Sequence, residues 1–178
     1  MQKRWLAIFS FAATIILLIV LLKIMNWVPL AVQQGTLRHY RSIDEVESKL
    51  HFSTIYVPSF FPQNFSWPPA EILAQEKPFP MVIMQFKDRD SKRIGLVIEQ
   101  VYVKAKYHPD TDLKITRIQR ESTVFIKHWE ARLVIALCGE GNPCTQVSWG
   151  SGTCRVTVRT TASPRDLIRI ARSMVAEQ

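Results

Sequence analysis

The chain has 178 residues, of which 47% are hydrophobic and 10% aromatic, and its formal net charge is +8. This length holds one ordinary domain with a modest core beside an apolar N-terminal run, which argues against a second folded domain. Ten prolines favour short strands and turns over a helical bundle, and the mild charge excess is typical of a solvated surface.

An apolar run opens the chain, and its core "RWLAIFSFAATIILLIVLLKIMNWVPL" lies within residues 1–30. The 18 residues between Arg4 and Lys23 carry no charge. As a helix, Trp5 to Val28 would extend about 36 Å, enough for a hydrocarbon core of roughly 30 Å. The run is longer than the apolar part of a cleavable signal peptide, and no small-x-small cleavage pattern follows it. It therefore predicts a permanent transmembrane anchor over residues 1–30.

Several side chains of this run suit a membrane helix. The residues expected at the two membrane–water interfaces are Trp5, Lys23 and Trp27. A narrow stripe of small residues that could pack against other helices consists of Ala7, Ser10, Ala13 and Thr14. Lys3 and Arg4 predict a cytoplasmic N-terminus. We therefore expect a single-pass protein of the bacterial inner membrane with an extracytoplasmic, periplasmic C-terminal domain.

Residues 31–41 are polar and predict a linker, and residues 42–178 predict the extracytoplasmic domain. The domain opens with a brief helix, "SIDEVESKL", because Ser42 and Glu45 form a capping-box pattern. The prolines of "YVPSFFPQNFSWPPAEI" exclude a helix or a central strand, so this stretch is expected to be a loop. Its aromatic rings, which either cover the core as a lid or form a contact surface, are Phe60, Phe61, Phe65 and Trp67.

The middle of the domain has the alternating pattern of β-strands. A hairpin is predicted for "MVIMQFK" and "RIGLVIEQ" around the turn "DRDS". Further strands are predicted for "DLKITRIQR", "STVFIKHWE", "ARLVIALC", "CTQVSW" and "CRVTVRT". In the closing "SPRDLIRIARSMV", Ser163 is a helix N-cap and Pro164 the first helical residue. The sequence therefore predicts an α+β fold in which about seven antiparallel strands are covered on one face by a C-terminal helix.

Two of the three cysteines are placed for a disulfide. Cys138 ends one predicted strand and Cys144 begins the next, so they face each other at the neck of a hairpin. Cys154 would lie more than about 15 Å from Cys144 at roughly 3.3 Å per residue, so we expect it to be unpaired. A disulfide agrees with an oxidising compartment.

The sequence contains no recognisable catalytic or metal-binding pattern. The four histidines are scattered, and no CxxC motif completes a zinc site. Phosphate-cradling and dinucleotide-binding glycine motifs are missing, and "WGSGT" lacks the residue order of a nucleophile elbow. We therefore expect a protein that is not an enzyme and that has no cofactor, no metal and no nucleic-acid partner.

The outer domain also resembles a known bacterial type. The stretches that carry the resemblance are "STIYVPSFFPQNF", "MVIMQFKDRDSKRIGLVIEQ", "VSWGSG" and "SPRDLIRIARSMV". They are similar to the extracytoplasmic domain of unknown function found in single-pass bacterial anti-sigma-type membrane proteins, over most of residues 54–175. The resemblance implies an antiparallel sheet with a C-terminal helix and no catalytic residues. The "CGEGNPC" loop departs from that pattern.

These expectations together favour a structural role. We expect a non-enzymatic accessory subunit of a larger membrane protein complex, held in the lipid bilayer and associated with other membrane-protein subunits as a hetero-oligomer. Its outer domain would buttress a neighbouring subunit. The alternative is a free-standing extracytoplasmic binding or sensing module for lipid or peptide, with the aromatic loop as its contact surface. Exposure of the four rings would favour the alternative, and burial would favour a lid.

Overall fold

The computed structural model describes residues 13–23, 37–50, 54–102, 109 and 111–177. These residues belong to two compact units, and the boundary between the units lies between Leu37 and Arg38.

The first unit contains helix α1, residues 13–23. Within the described part of the chain, no helix combines the length and the apolar character needed to cross a membrane. By this finding the predicted transmembrane anchor over residues 1–30 is wrong; residues 1–12 and 24–30 of that run lie outside the described residues. The single-pass topology, the inner-membrane localisation and the fold class built on that anchor are wrong for the same reason.

The second unit is dominated by an eight-stranded antiparallel sheet with the spatial order β1-β3-β4-β5-β9-β8-β7-β6. Its strands are β1 (Arg38–Tyr40), β3 (Glu71–Gln75), β4 (Met81–Lys87), β5 (Ile94–Tyr102), β6 (Ile115–Ile126), β7 (Trp129–Cys138), β8 (Asn142–Ser151) and β9 (Cys154–Thr160). A separate antiparallel pair is formed by β2 (Ile55–Pro58) and β10 (Met174–Glu177). The two helices of this unit are α2 (Ile43–Lys49) and α3 (Pro164–Ser173).

The hairpin predicted around "DRDS" is formed by β4 and β5, with Met84 opposite Ile98. Asp88 holds its turn, since its Oδ1 accepts hydrogen bonds from the amides of Asp90 (3.0 Å) and Ser91 (2.8 Å). The bond from the Ser91 amide is the main reason why the pKa of Asp88 is lowered. This carboxylate therefore stabilises a turn.

Strands β4 and β5 are buried on both faces, which differs from the half-buried strands that alternation predicted. Along β4 only Lys87 is exposed, and β5 is partly exposed only at Ile94 and Tyr102. Their nearly continuous apolar sequences explain this, because a strand covered on both sides has no solvent face for polar residues. The centre of the sheet therefore lies in the middle of the core.

Several other stretches differ from the prediction: β2 takes up the first residues of the predicted loop, and β10 takes up the end of the predicted C-terminal helix. Strand β6 is a single strand that joins most of "DLKITRIQR" to the first five residues of "STVFIKHWE", because no turn-forming residue separates them. The turn falls instead at Lys127, whose φ of 55° reverses the chain into β7. Strand β3 was not predicted, and β1 lies within the predicted linker 31–41, where Arg38 pairs with Ala74 of β3.

Helix α3 covers one face of the sheet, where a C-terminal helix was expected. The Ser163 side chain caps it by accepting a hydrogen bond from the Asp166 amide at 3.2 Å, and Pro164 stands in its first turn. Leu167 and Ile170 are fully buried and belong to the main core. The sheet residues of that core beside α3 include Val147, Trp149, Val156 and Val158.

The opposite face of the sheet contains a buried ion pair. Glu99 Oε1 on β5 lies 3.3 Å from Arg159 Nη1 on β9, and the side chains are 7% and 11% exposed. Arg159 also donates hydrogen bonds to Gln146 Oε1 and Thr111 Oγ1, both at 2.9 Å. Desolvation raises the pKa of Glu99, and the positive charges of Arg159 and Arg155 oppose that rise. The pair therefore makes stability dependent on pH.

Candidate functional site

Strand β6 forms one edge of the sheet and offers more uncovered backbone than any other described edge. It has 12 residues, and among the described strands it pairs with β7 alone. Residues 116–123 are all exposed. The other edge strand, β1, has three residues. A long open edge presents unpaired N–H and C=O groups, which natural sheets usually shorten, cover or twist away.

Two irregularities divide β6 into an irregular and a regular half. The register with β7 shifts at two points of the first half, between Ile115 and Arg117 and between Ile118 and Arg120. Such bulges increase the local twist and turn an edge away from further pairing. Residues 121–126 keep an unbroken register with β7. This second half is therefore the part of the edge that is shaped to accept another strand.

The bulges also change which side chains share a face. In a regular strand, residues three apart lie on opposite faces. Arg117 is paired with Leu137 and Arg120 with Ile135, and these two partners are two residues apart on β7, so they share a face. The extra residue Gln119 therefore places both arginines side by side. Neither arginine pairs with a carboxylate within the described part of the chain.

The other face of β6 is apolar at both ends. Ile118 is 50% exposed and Phe125 is 63% exposed, which is unusual for such large apolar side chains. Glu121 lies between them and is held by Arg132 of β7, whose Nη2 donates to Glu121 Oε2 at 2.7 Å and whose Nε contacts Oε1. This pairing lowers the pKa of Glu121. The negative charge on this face is therefore already neutralised.

A cleft of about 1160 Å³ lies at the end of the sheet, between the β4–β5 turn and the β7–β8 loop. Its charged lining residues have both signs: Lys87, Lys92, Arg93, Glu71, Asp88, Asp112 and Glu140. His39 Nδ1 lies 3.1 Å from Glu71 Oε1 at its rim. Because the charges are mixed and Asp88 is used by its own turn, the cleft indicates no particular ligand.

The predicted disulfide is present and forms part of the wall of this cleft. Cys138 and Cys144 are bonded, with their Cα atoms 5.8 Å apart, and both are buried. Cys154 is the free cysteine, and burial raises the pKa of its thiol. A raised pKa keeps a thiol protonated and unreactive. The bonded pair of Cys138 and Cys144 therefore acts in structure, and the surroundings of Cys154 do not favour a thiolate.

The aromatic loop is mainly a lid. Phe65 is fully buried, Phe60 and Phe61 are half-buried against the core, and Trp67 is 51% exposed. The ring of Phe61 lies at the centre, with centroids 6.0 Å from Phe65, 5.7 Å from Trp67 and 4.9 Å from Phe86. A contact surface at this loop would depend on Trp67 alone.

The remaining predicted site residues belong to the N-terminal run. Trp5, Ala7, Ser10 and Trp27 lie outside the described residues. Ala13, Thr14 and Lys23 lie in the helical residues 13–23, and all three are exposed. Their predicted roles depended on the membrane span, which the structure contradicts. Among the described residues, no group of three or more His, Cys, Asp and Glu side chains could hold a metal ion.

The edge of β6 was missed at the level of sequence. A signal for one long strand existed, since residues 115–126 contain no Gly, Pro, Asn or Asp. No local signal tells which strand lies at an edge, because strand order depends on pairing between distant segments. Comparison with known proteins adds nothing to this geometry: the chain matches no protein family, no curated protein and no solved structure.

Proposed function

We propose that this chain is a non-enzymatic protein-interaction domain that binds a partner by adding one of the partner's strands to β6. The proposal keeps the accessory, buttressing role in a hetero-oligomer that the sequence suggested, and it locates the contact at the sheet edge. The observation that carries it is the open outer side of β6, exposed over residues 116–123 and in regular register over residues 121–126.

The backbone of this edge can supply most of the binding energy. Along an antiparallel strand, alternate residues direct both N–H and C=O to the same side, so about three of the residues 121–126 offer both groups outward. About six main-chain hydrogen bonds at roughly 0.5–1.5 kcal/mol each give roughly 3–9 kcal/mol before the cost of association. In strand addition the main chain provides affinity, and alternate side chains provide specificity.

The alternative of a lipid-sensing module has less support. Its expected contact surface was the aromatic loop, whose rings cover the core except at Trp67. A peptide ligand, in contrast, is compatible with the edge of β6. The resemblance to the anti-sigma-type outer domain stays a prediction and gives no further constraint on the partner.

The test is a selection from a random-peptide display library on the full chain, followed by amide hydrogen exchange with each enriched peptide. We expect the peptides to slow exchange in residues 121–126. Ser122→Pro and Thr123→Pro form a matched pair of variants, because one of these two neighbouring amides points outward and the other bonds to β7. The variant that loses only the outward amide should keep the wild-type melting temperature and lose peptide binding.

Peptides that slow exchange elsewhere, for example around the cleft, and that bind both proline variants as well as wild type would contradict the proposal.

A further inference from the structure

We infer that the strand accepted by β6 belongs to an acidic, two-faced extended segment, with carboxylates along one face and apolar side chains along the other. This inference rests on the proposed strand addition and names the chemistry of the partner. It follows from the unequal faces of β6, where two arginines share one face and Ile118 and Phe125 lie on the other.

Strand pairing determines which face of β6 each side chain of an added strand meets. Directly paired residues of neighbouring strands lie on the same face of a sheet. The register with β7 is continuous from Arg120 to Ile126, so side chains of a strand added there alternate between the face of Arg120 and the face of Phe125, and Arg117 lies beside Arg120 across the bulge. A partner strand in which carboxylates alternate with apolar residues places the carboxylates on the arginine face and the apolar residues on the other face. A shift of its register by one residue would exchange the two faces at every position.

The positive charges of the two arginines on β6 favour an acidic partner. Arg117 and Arg120 are neighbours on one face only because of the bulge at Gln119, and no carboxylate of the described chain pairs with either of them. Two adjacent like charges repel each other, and an added strand with carboxylates on that face removes the repulsion. An exposed arginine–carboxylate pair changes affinity by about two- to fivefold, so the two arginines together change it by about four- to 25-fold.

The face of β6 that carries Phe125 favours apolar side chains on the partner. Phe125 lies in the regular half of β6, where an added strand would cover it. Glu121 on the same face is already bonded to Arg132, so it does not call for a basic partner residue. Apolar or small residues on this face of the partner would bury Phe125, and a charged residue there would be desolvated without a counter-charge.

The probes are three blocked nine-residue peptides with a fluorescent label. In the first, glutamate alternates with valine or threonine; in the second, lysine replaces every glutamate; the third has the composition of the first with its glutamates grouped in one half. Binding to the full chain is measured by anisotropy at low and high salt. The matched variants are Arg117→Gln/Arg120→Gln and the control Arg165→Gln/Arg172→Gln, which removes two exposed charges from α3.

We expect the alternating glutamate peptide to bind at least about fourfold more tightly than the lysine peptide, with an advantage that shrinks in high salt. The advantage should be lost in Arg117→Gln/Arg120→Gln and kept in the α3 control. The grouped peptide should bind weakly, because it cannot present one kind of side chain to each face.

Equal binding of the glutamate and lysine peptides, or of the alternating and grouped peptides, would overturn the inference. If such peptides still slowed exchange in residues 121–126, strand addition would stand without the acidic preference. A single-stranded oligonucleotide that binds through the two arginines and is unaffected by Phe125→Ser would identify a phosphate-binding surface and would also overturn it. Display peptides that contact β6 but carry no carboxylates would also overturn the inference.

Discussion

Gly95, near the start of β5, is packed so closely that a Cβ atom there would force its neighbours to shift. A Cβ atom at this position would lie 2.8 Å from Phe65 Cε1, 3.1 Å from Asp88 Cβ and 3.3 Å from Thr161 Oγ1. Phe65 has little room to move aside, because it is fully buried and packs against Phe61 with ring centroids 6.0 Å apart. Replacement of Gly95 by alanine should therefore strain the lid of the core.

The expected loss is the cost of overpacking a well-filled core, about 1–3 kcal/mol. For a domain of this size, that corresponds to a melting temperature lowered by about 3–10 °C. Gly150→Ala is the matched control, since Gly150 also lies in a strand and a Cβ there meets nothing within 4 Å. Alanine at that position should stabilise by about 0.4–1 kcal/mol, because it restricts the unfolded chain.

Thermal and urea denaturation of the full chain, followed by circular dichroism, measure both variants against wild type. We expect the two identical substitutions to have opposite signs. A Gly95→Ala protein that melts at or above the wild-type temperature would refute the packing of Phe65 against β5. That result would also weaken the assignment of the aromatic loop as a lid.

Two further predictions concern the ion pair and the disulfide. The pKa of Glu99 is raised in the folded state, so its contribution to stability is lost as pH rises above its ordinary value of 4.5. Urea titrations from pH 5 to 8 give the free energy of unfolding of Glu99→Gln minus that of the wild type, and this difference should increase with pH. A difference that stays constant or falls would contradict the raised pKa of Glu99. The Cys138–Cys144 bond closes a short loop, and such a bond contributes about 2 kcal/mol. Cys138→Ala/Cys144→Ala should lose about that much under oxidising conditions and should be unaffected by a reductant, whereas unchanged stability would show that the bond constrains nothing.

Local features of the fold could be predicted from the sequence. The hairpin at Asp88, the N-cap at Ser163 and the disulfide across the β7–β8 turn all depend on residues close together in the chain. In each of these cases a short sequence pattern favours one local conformation. Turn geometry, capping and cross-strand distance are therefore readable before any strand order is known.

Features that depend on distant pairing could not be predicted. The edge position of β6 follows from β5 pairing with β9 rather than with β6, and nothing within residues 115–126 encodes that choice. The exposure of Phe125 was hidden for the same reason, since its sequence context is that of an ordinary buried strand. The N-terminal run was misleading because its composition suits a membrane helix, whereas no helix of the described residues is long and apolar enough to cross a membrane.

On its outer side the backbone of β6 has no partner strand among the described residues and is ready to accept one. Residue-resolved amide hydrogen exchange of the unliganded full chain tests this most directly. We predict that between residues 121 and 126 every second amide exchanges at least about a hundredfold faster than its neighbours, while the amides of β8 are protected throughout. Uniform protection along residues 121–126 would mean that the edge is already covered and would contradict strand addition at β6.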